Sequence, residues 1–171
     1  MEISKTSLDR VSVIKPPPAF EDARGVIAGI YKKRDYREAG IDVEFVQETI
    51  VSSPRHVLRG IHGDDLAWKM VSCLFGRLYL VVVNWDGAST QRGKWESFVL
   101  SDRNRLQVLI PPKFCVGHLV LSEHSIFLDK RSDYPAGATQ YSLAWNDPSL
   151  NIWWPVKSPL VSQPDQGINS G

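Results

Sequence analysis

The chain has 171 residues, 43% of them apolar and 23% charged, enough for one domain with a sizeable core and ordinary for a globular protein. Its formal net charge of +1 excludes an overall field that would draw it to nucleic acid or to an anionic membrane, so any anionic partner has to be gripped by a local site. No apolar run approaches the ~18 residues of a membrane span, the opening stretch lacks a signal-peptide core, and the two cysteines, Cys73 and Cys115, form no CxxC; together these read as a cytoplasmic protein with buried free thiols.

In chain order, an N-terminal strand is set apart by the stiff, extended "KPPPAF" (15–20). "RGVIAGIY" (24–31) reads as a strand, and "KKRDYREAG" (32–40) as the one helix, stopped by Gly40. Strands then follow at "VEFVQETIVSS" (43–53), "RHVLRGIHG" (55–63), "KMVSCLFG" (69–76), "RLYLVVVNW" (77–85), "WESFVLS" (95–101), "LQVLIPP" (106–112) and "HLVLSEHSIFLDKRS" (118–132). Each is rich in β-branched and aromatic residues and bounded by Gly, Pro, Asp, Asn or Ser. Many short strands with almost no helix predict an all-β sandwich or barrel. One domain over 1–171 is expected, with its core at about 10–166 and a loose tail at 167–171. No GxGxxG after a strand, GxxxxGK[ST] or GxSxG occurs, which argues against dinucleotide-binding, P-loop and α/β-hydrolase chemistry.

The stretch "VLRGIHGDDLAWKM" (57–70) stands out because Arg59, His62 and Lys69 crowd into apolar strands. A metal site would want further His or carboxylate ligands converging on one ion, and "IHGDD" has no His two residues on. The plain alternative for His62 is a core imidazole satisfied by a carbonyl. Against it stand the two cations, since cations are seldom buried unpaired. A cavity lined by Arg and Lys suits phosphates and a developing oxyanion, and an imidazole beside it suits proton transfer. Strict strand alternation would place Arg59 and His62 on opposite faces. Either a bulge near Gly60 re-aims one of them, or Arg59 serves a different pocket, such as a neighbouring subunit's.

"EDARG" (21–25), "FVQE" (45–48), "VLRGIH" (57–62), "KMVSCLFG" (69–76), "GKWESFVLSDRNRLQVLIPPKF" (93–114), "HLVLSE" (118–123), "FLDKRSDY" (127–134), "WNDPSLNIWWP" (145–155) and "LVSQPD" (160–165) fall in an order that resembles the dTDP-4-dehydrorhamnose 3,5-epimerase family, the RmlC-like cupins. The form "RGIHGD", with a short loop before Lys69, looks most like the branch acting on GDP-linked 4-keto heptoses in bacterial capsule synthesis. The resemblance implies a jelly-roll β-barrel with a few short helices and a homodimer. It also implies an epimerase that needs no metal or other cofactor and acts on a nucleotide-linked 4-keto sugar of surface-polysaccharide synthesis.

Carried onto this chain, the resemblance makes His62 the base that removes a hydrogen from C3 or C5, Asp165 the carboxylate that holds its tautomer, and Lys69 the stabiliser of the enolate oxygen. Arg24 and Arg59 match diphosphate-binding arginines, and Gln47 a substrate-contacting residue; His118, Tyr134 and Gln140 are further substrate-binding candidates. The plainer readings are a solvated Asp165, an Arg24 that merely closes a turn, a polar loop at Asp64 and Asp65, and packing roles for Trp145, Trp153 and Trp154.

Three positions depart from the family pattern. Asp129 stands where the family has its acid Tyr. It is then either a protonated acid in a dry pocket or a binder of a sugar hydroxyl, or else proton return on that face is lost, so an altered or single-carbon outcome is favoured. Pro135 stands where a thymine-stacking Tyr is usual, which leaves GDP and CDP as open as dTDP. His118 takes a usually aromatic place, and Val116 that of a family His. A 3,4-ketoisomerase and a non-catalytic nucleotide-sugar-binding cupin are the alternative functions.

Overall fold

The computed structural model describes residues 1–162 and 165, so the tail expected at 167–171 lies outside the described residues. In chain order the elements are β1 (Glu2–Lys5), β2 (Ser12–Lys15), β3 (Phe20–Asp22), β4 (Gly25–Ile27), α1 (Lys33–Glu38), β5 (Gln47–Pro54), β6 (Leu58–Asp64), β7 (Lys69–Phe75), β8 (Arg77–Asn84), β9 (Trp95–Ser101), β10 (Gln107–Ile110), β11 (Phe114–Val120), β12 (His124–Arg131) and β13 (Gln140–Ser142). A six-stranded sheet of order β1-β2-β10-β7-β12-β5 faces a five-stranded sheet of order β13-β6-β11-β8-β9, and all the strand pairings are antiparallel. This is the jelly-roll cupin expected from the sequence. Among the described residues no helix is long and apolar enough to cross a membrane.

Strand β8 explains why "RLYLVVVN" runs apolar without alternating. Leu78, Leu80 and Val82 point between the sheets onto Val71, Val108, Ile110 and Phe127. Tyr79, Val81 and Val83 point the other way, yet Leu150, Trp154 and Ile152 of the C-terminal segment cover them. Both faces are therefore dry, and each such side chain contributes about 1.5–3 kcal/mol by its burial. Helix α1 seals the outer face of the six-stranded sheet, packing Tyr36 and nearby Ile41 on Ile14, Met70 and Leu109.

Two expected strands change extent. "RGVIAGIY" holds only β4, paired with β3 in a small hairpin, because its Val26 and Ile27 find no sheet to bury them and stay exposed. "HLVLSEHSIFLDKRS" is two strands, since the chain reverses at 121–123, where the Ser122 amide and the Leu121 amide both donate to the Arg77 carbonyl. Of the tryptophans, Trp154 is buried and Trp145 half-buried, while Trp153 is 62% exposed and packs nearly perpendicular to the Tyr79 ring.

Candidate active site

A cavity of about 200 Å³ opens between the two sheets, lined by side chains from β5, β6, β7, β11 and β12 together with Gln140 of β13. Strand alternation supplies most of its walls. Phe127, Asp129 and Arg131 come from one face of β12, Lys69 and Val71 from one face of β7, and His62 and Asp64 from one face of β6. Arg59, three residues before His62, breaks that parity and still lines the same cavity. The reason is a bulge. His62 faces Val116 and Arg59 faces His118, so two residues of β6 stand opposite one residue of β11. Gly60 makes the bulge at φ +111°, and a β-carbon there would lie 2.5 Å from the Val116 carbonyl oxygen, so only glycine fits. Of the two readings left open by the sequence, the bulge is the observed one.

His62 Nε2 donates to Asp165 Oδ1 at 2.6 Å. Asp165 arrives by a C-terminal segment that returns along the start of β6, where Leu58 N–H donates to Leu160 O and Leu160 N–H to His56 O. Its carboxylate is buried, whereas the imidazole is 51% exposed. Holding the proton on Nε2 leaves Nδ1 as the basic nitrogen. The plain readings of a carbonyl-satisfied core His62 and a solvated Asp165 do not describe this pair.

Lys69 is buried, with Nζ 2.9 Å from Asp64 Oδ2, but off the hydrogen-bonding direction, so its N–H donors find no partner among the described residues. Arg131 also reaches Asp64 Oδ2. Asp64 is thus no loop residue. It ends β6, is buried, and accepts the Ala67 N–H at 2.7 Å. Burial pushes its carboxyl up, but the Ala67 N–H, Lys69 and Arg131 outweigh that and hold it below the usual carboxylate range. Asp65 alone fits the polar-loop reading, accepting the Thr139 N–H at 2.8 Å. Asp64 and Arg131 are the site residues that the sequence reading missed. The signal available was the pairing rule itself: a buried Lys69 requires a nearby anion.

Asp129 sits across the cavity with its Oδ1 buried and without a partner among the described residues. Burial raises its carboxyl from the ordinary 3.8 to about 6, against the pull of Arg131 and Lys69. The folded state therefore keeps this proton over a pH range in which the unfolded chain has released it. Stability falls as pH rises from 3.8 through about 6, then levels off. With about 1.4 kcal/mol per pH unit, Asp129→Asn is expected to be more stable than the native protein above pH 6 by up to about 3 kcal/mol, the gap closing toward pH 4. Urea unfolding at pH 4.5 and pH 7.5 checks this; an equal gap at both values refutes it.

The cavity also receives Arg59, whose Nε donates to Ser53 Oγ at 3.0 Å, as well as His118 and Gln140. Three expected substrate binders do not reach it in the single chain. Arg24 closes the β3–β4 hairpin on Asp22, as its plainer reading had it, with Nη2 2.6 Å from Oδ2. Gln47 begins β5 and donates to Thr49 Oγ1. Tyr134 is exposed on the loop after β12. Arg24 and Tyr134 lie outside the two large sheets, and Gln47 is paired with the cavity residue Arg131 but does not itself line the cavity, so motif order alone could not place these side chains. Among the described residues no cluster of His, Cys, Asp and Glu has the grouping of a metal site.

The sequence profile described as dTDP-4-dehydrorhamnose 3,5-epimerase matches residues 5–170. A dTDP-4-dehydrorhamnose 3,5-epimerase of Shigella flexneri is 34% identical over 169 residues, covering 96% of this chain and 93% of its own. A dTDP-4-dehydrorhamnose 3-epimerase of Streptomyces niveus is 32% identical over 154 residues, 88% of this chain and 74% of its own. Among solved structures, the RmlC epimerase of Legionella pneumophila in complex with dTDP-4-keto-L-rhamnose superposes with a TM-score of 0.90 at 32% identity, covering 97% of this chain and 90% of that one. With a profile match over almost its whole length and a third of its residues shared with the Shigella relative, this chain belongs to the dTDP-4-dehydrorhamnose 3,5-epimerase family and is a carbohydrate epimerase of the isomerase class.

Proposed function

We propose that the chain epimerises a nucleotide-linked 4-keto sugar, with His62 as the base. The carbonyl at C4 acidifies the hydrogens on C3 and C5. Nδ1 of His62 takes one of them, the electron pair moves onto the C4 oxygen, and the Lys69 ammonium faces the resulting enolate. Reprotonation from the opposite side completes the inversion. The observation that carries this reading is the 2.6 Å His62–Asp165 pair beside a buried, unsatisfied Lys69 Nζ.

Asp129 stands where the family resemblance places a Tyr, and a shorter acid in place of a phenol supports exchange at one carbon in place of two. The homodimer is part of the same proposal. The β3–β4 hairpin, which carries Arg24, leaves Phe20, Val26 and Ile27 exposed in the single chain, an apolar face of the kind that subunit contacts bury.

Proton NMR in D2O on dTDP-, GDP- and CDP-linked 4-keto-6-deoxyhexoses tests the function and selects the nucleotide. The native protein is expected to wash out the signal of one of the two carbons with at least one of these substrates. Asp129→Tyr is expected to change which carbon exchanges. No exchange with any substrate at high enzyme defeats the epimerase reading, and an identical pattern in the variant defeats a role for Asp129.

A further inference from the structure

His118 is a polar group that the proposed chemistry leaves unused. It lies on β11 directly opposite Arg59 of β6, two residues along β11 and across the bulge from Val116, which faces His62. Its ring stacks on Phe127 with centroids 4.3 Å apart and planes 18° from parallel, which fixes its orientation in the cavity wall. The side chain is buried, and Nε2 has no hydrogen-bond partner among the described residues. Burial first, then Arg59, pushes its pKa down to about 4, against a pull from Asp165. At neutral pH it is therefore an uncharged imidazole with one donor and one acceptor.

His118 lines the cavity, and a buried nitrogen without a partner in such a wall is a group that lacks a polar contact. A neutral imidazole is a poor match for a phosphate, which the neighbouring Arg59 suits far better. It matches a hydroxyl, which both donates and accepts. On a 4-keto-6-deoxyhexose, C1 carries the nucleotide, C3 and C5 are the reacting carbons, C4 is the ketone and C6 bears no hydroxyl. The one hydroxyl on a carbon that does not react is at C2, next to the diphosphate-bearing C1. His118 is paired with Arg59, across the bulge from the Val116–His62 pair, so if Arg59 holds the diphosphate on C1, the hydroxyl on the adjacent C2 is the one within its neighbourhood.

We propose that His118 Nε2 hydrogen-bonds the C2 hydroxyl of the sugar and makes this cavity selective for 2-hydroxy over 2-deoxy nucleotide sugars. The inference rests on the nucleotide-sugar reading above and names a specificity residue within it.

Calorimetry with sugars that cannot turn over separates binding from catalysis. The probes are dTDP-, GDP- and CDP-glucose with their three 2-deoxyglucose counterparts, the comparison being made on the base that binds tightest. The native protein is expected to hold the 2-hydroxy sugar about 5- to 100-fold tighter than its 2-deoxy partner, the range for leaving one buried polar group unmatched. His118→Phe keeps the stack on Phe127 and is expected to bind both sugars alike, at the level of the 2-deoxy complex. His118→Gln restores a donor and an acceptor and is expected to recover part of the preference. Equal affinities in the native protein, or a preference that survives in His118→Phe, overturns the inference; so does an equal loss of both sugars in His118→Phe, which marks a packing role. Binding of none of the six probes overturns the nucleotide-sugar reading itself.

Discussion

His62→Gln is expected to slow substrate deuterium exchange by about 10²- to 10⁴-fold, the usual contribution of a positioned general base, while leaving the fold intact. Glutamine is close in size and its amide reaches the place of Nε2, so it keeps a donor for Asp165 Oδ1, which now receives His62 Nε2 at 2.6 Å. What it lacks is a basic nitrogen. The imidazole is half exposed, so stability should move by no more than about 0.5 kcal/mol, as for other substitutions outside the core. Thermal unfolding alongside the exchange rate separates a lost base from a lost fold. A variant that unfolds like the native protein and still exchanges within a few-fold of its rate would remove His62 from the role. Asp165→Asn gives a graded counterpart, because it keeps a hydrogen-bond acceptor for Nε2 but removes the negative charge that stabilises the imidazolium formed in the reaction.

The two halves of that pair show what a linear sequence reveals and what it withholds. His62 is conspicuous because an ionisable ring and two cations interrupt apolar strands. Asp165 lies 103 residues further on, in a polar stretch that looks like any solvated end, and only the family motif singled it out. The walls built by plain alternation were legible once β7 and β12 were identified, because Lys69 and Val71, and Asp129 and Arg131, keep the parity that a strand dictates.

Features that depend on what a strand packs against were not legible. The sequence left a bulge at Gly60 as one of two readings for Arg59, and what decides between them is the close approach of Val116 and Gly117, which only the packed strands show. The start of β11 was missed because "PPKFCVG" carries turn residues; Gly117 is there because a β-carbon would lie 3.1 Å from Ile61 Cγ1. Strand β4 was overextended because β-branched residues indicate strand propensity and not the presence of a partner sheet. Asp64 was misjudged for the same kind of reason. Two adjacent acids after a glycine look like a turn until Lys69 and Arg131 are seen converging on the first of them.

That convergence makes Asp64→Ala the substitution with the largest expected effect on stability. Lys69 and Asp64 are almost fully buried, Arg131 is largely so, and Asp64 Oδ2 is the anion that both cations approach, Arg131 as a hydrogen-bond donor and Lys69 Nζ as an ion pair at 2.9 Å. Removing it strands two desolvated positive charges in one cavity, and breaking a buried pair in this way typically costs about 3–5 kcal/mol. Asp64→Asn is expected to lie between alanine and the native residue, because the amide oxygen can still accept the Ala67 N–H that the carboxylate accepts at 2.7 Å. The pH dependence carries its own sign. Because Ala67, Lys69 and Arg131 together hold the Asp64 carboxyl below its unfolded value, its contribution is complete above the ordinary carboxylate pKa of 3.8. It is lost as pH falls through the lowered folded value. The stability gap between Asp64→Ala and the native protein should therefore be full at pH 7 and shrink in acid; the gap for Asp129→Asn also closes in acid but has the opposite sign, the variant being the more stable protein. Urea unfolding across pH 3 to 7 reads both, and a gap below about 1 kcal/mol at pH 7 would mean that Lys69 and Arg131 do not depend on this carboxylate. On the proposed chemistry, in which the Lys69 ammonium faces the enolate, Asp64 Oδ2 lies 2.9 Å from that ammonium, so the variant should lose kcat more than affinity.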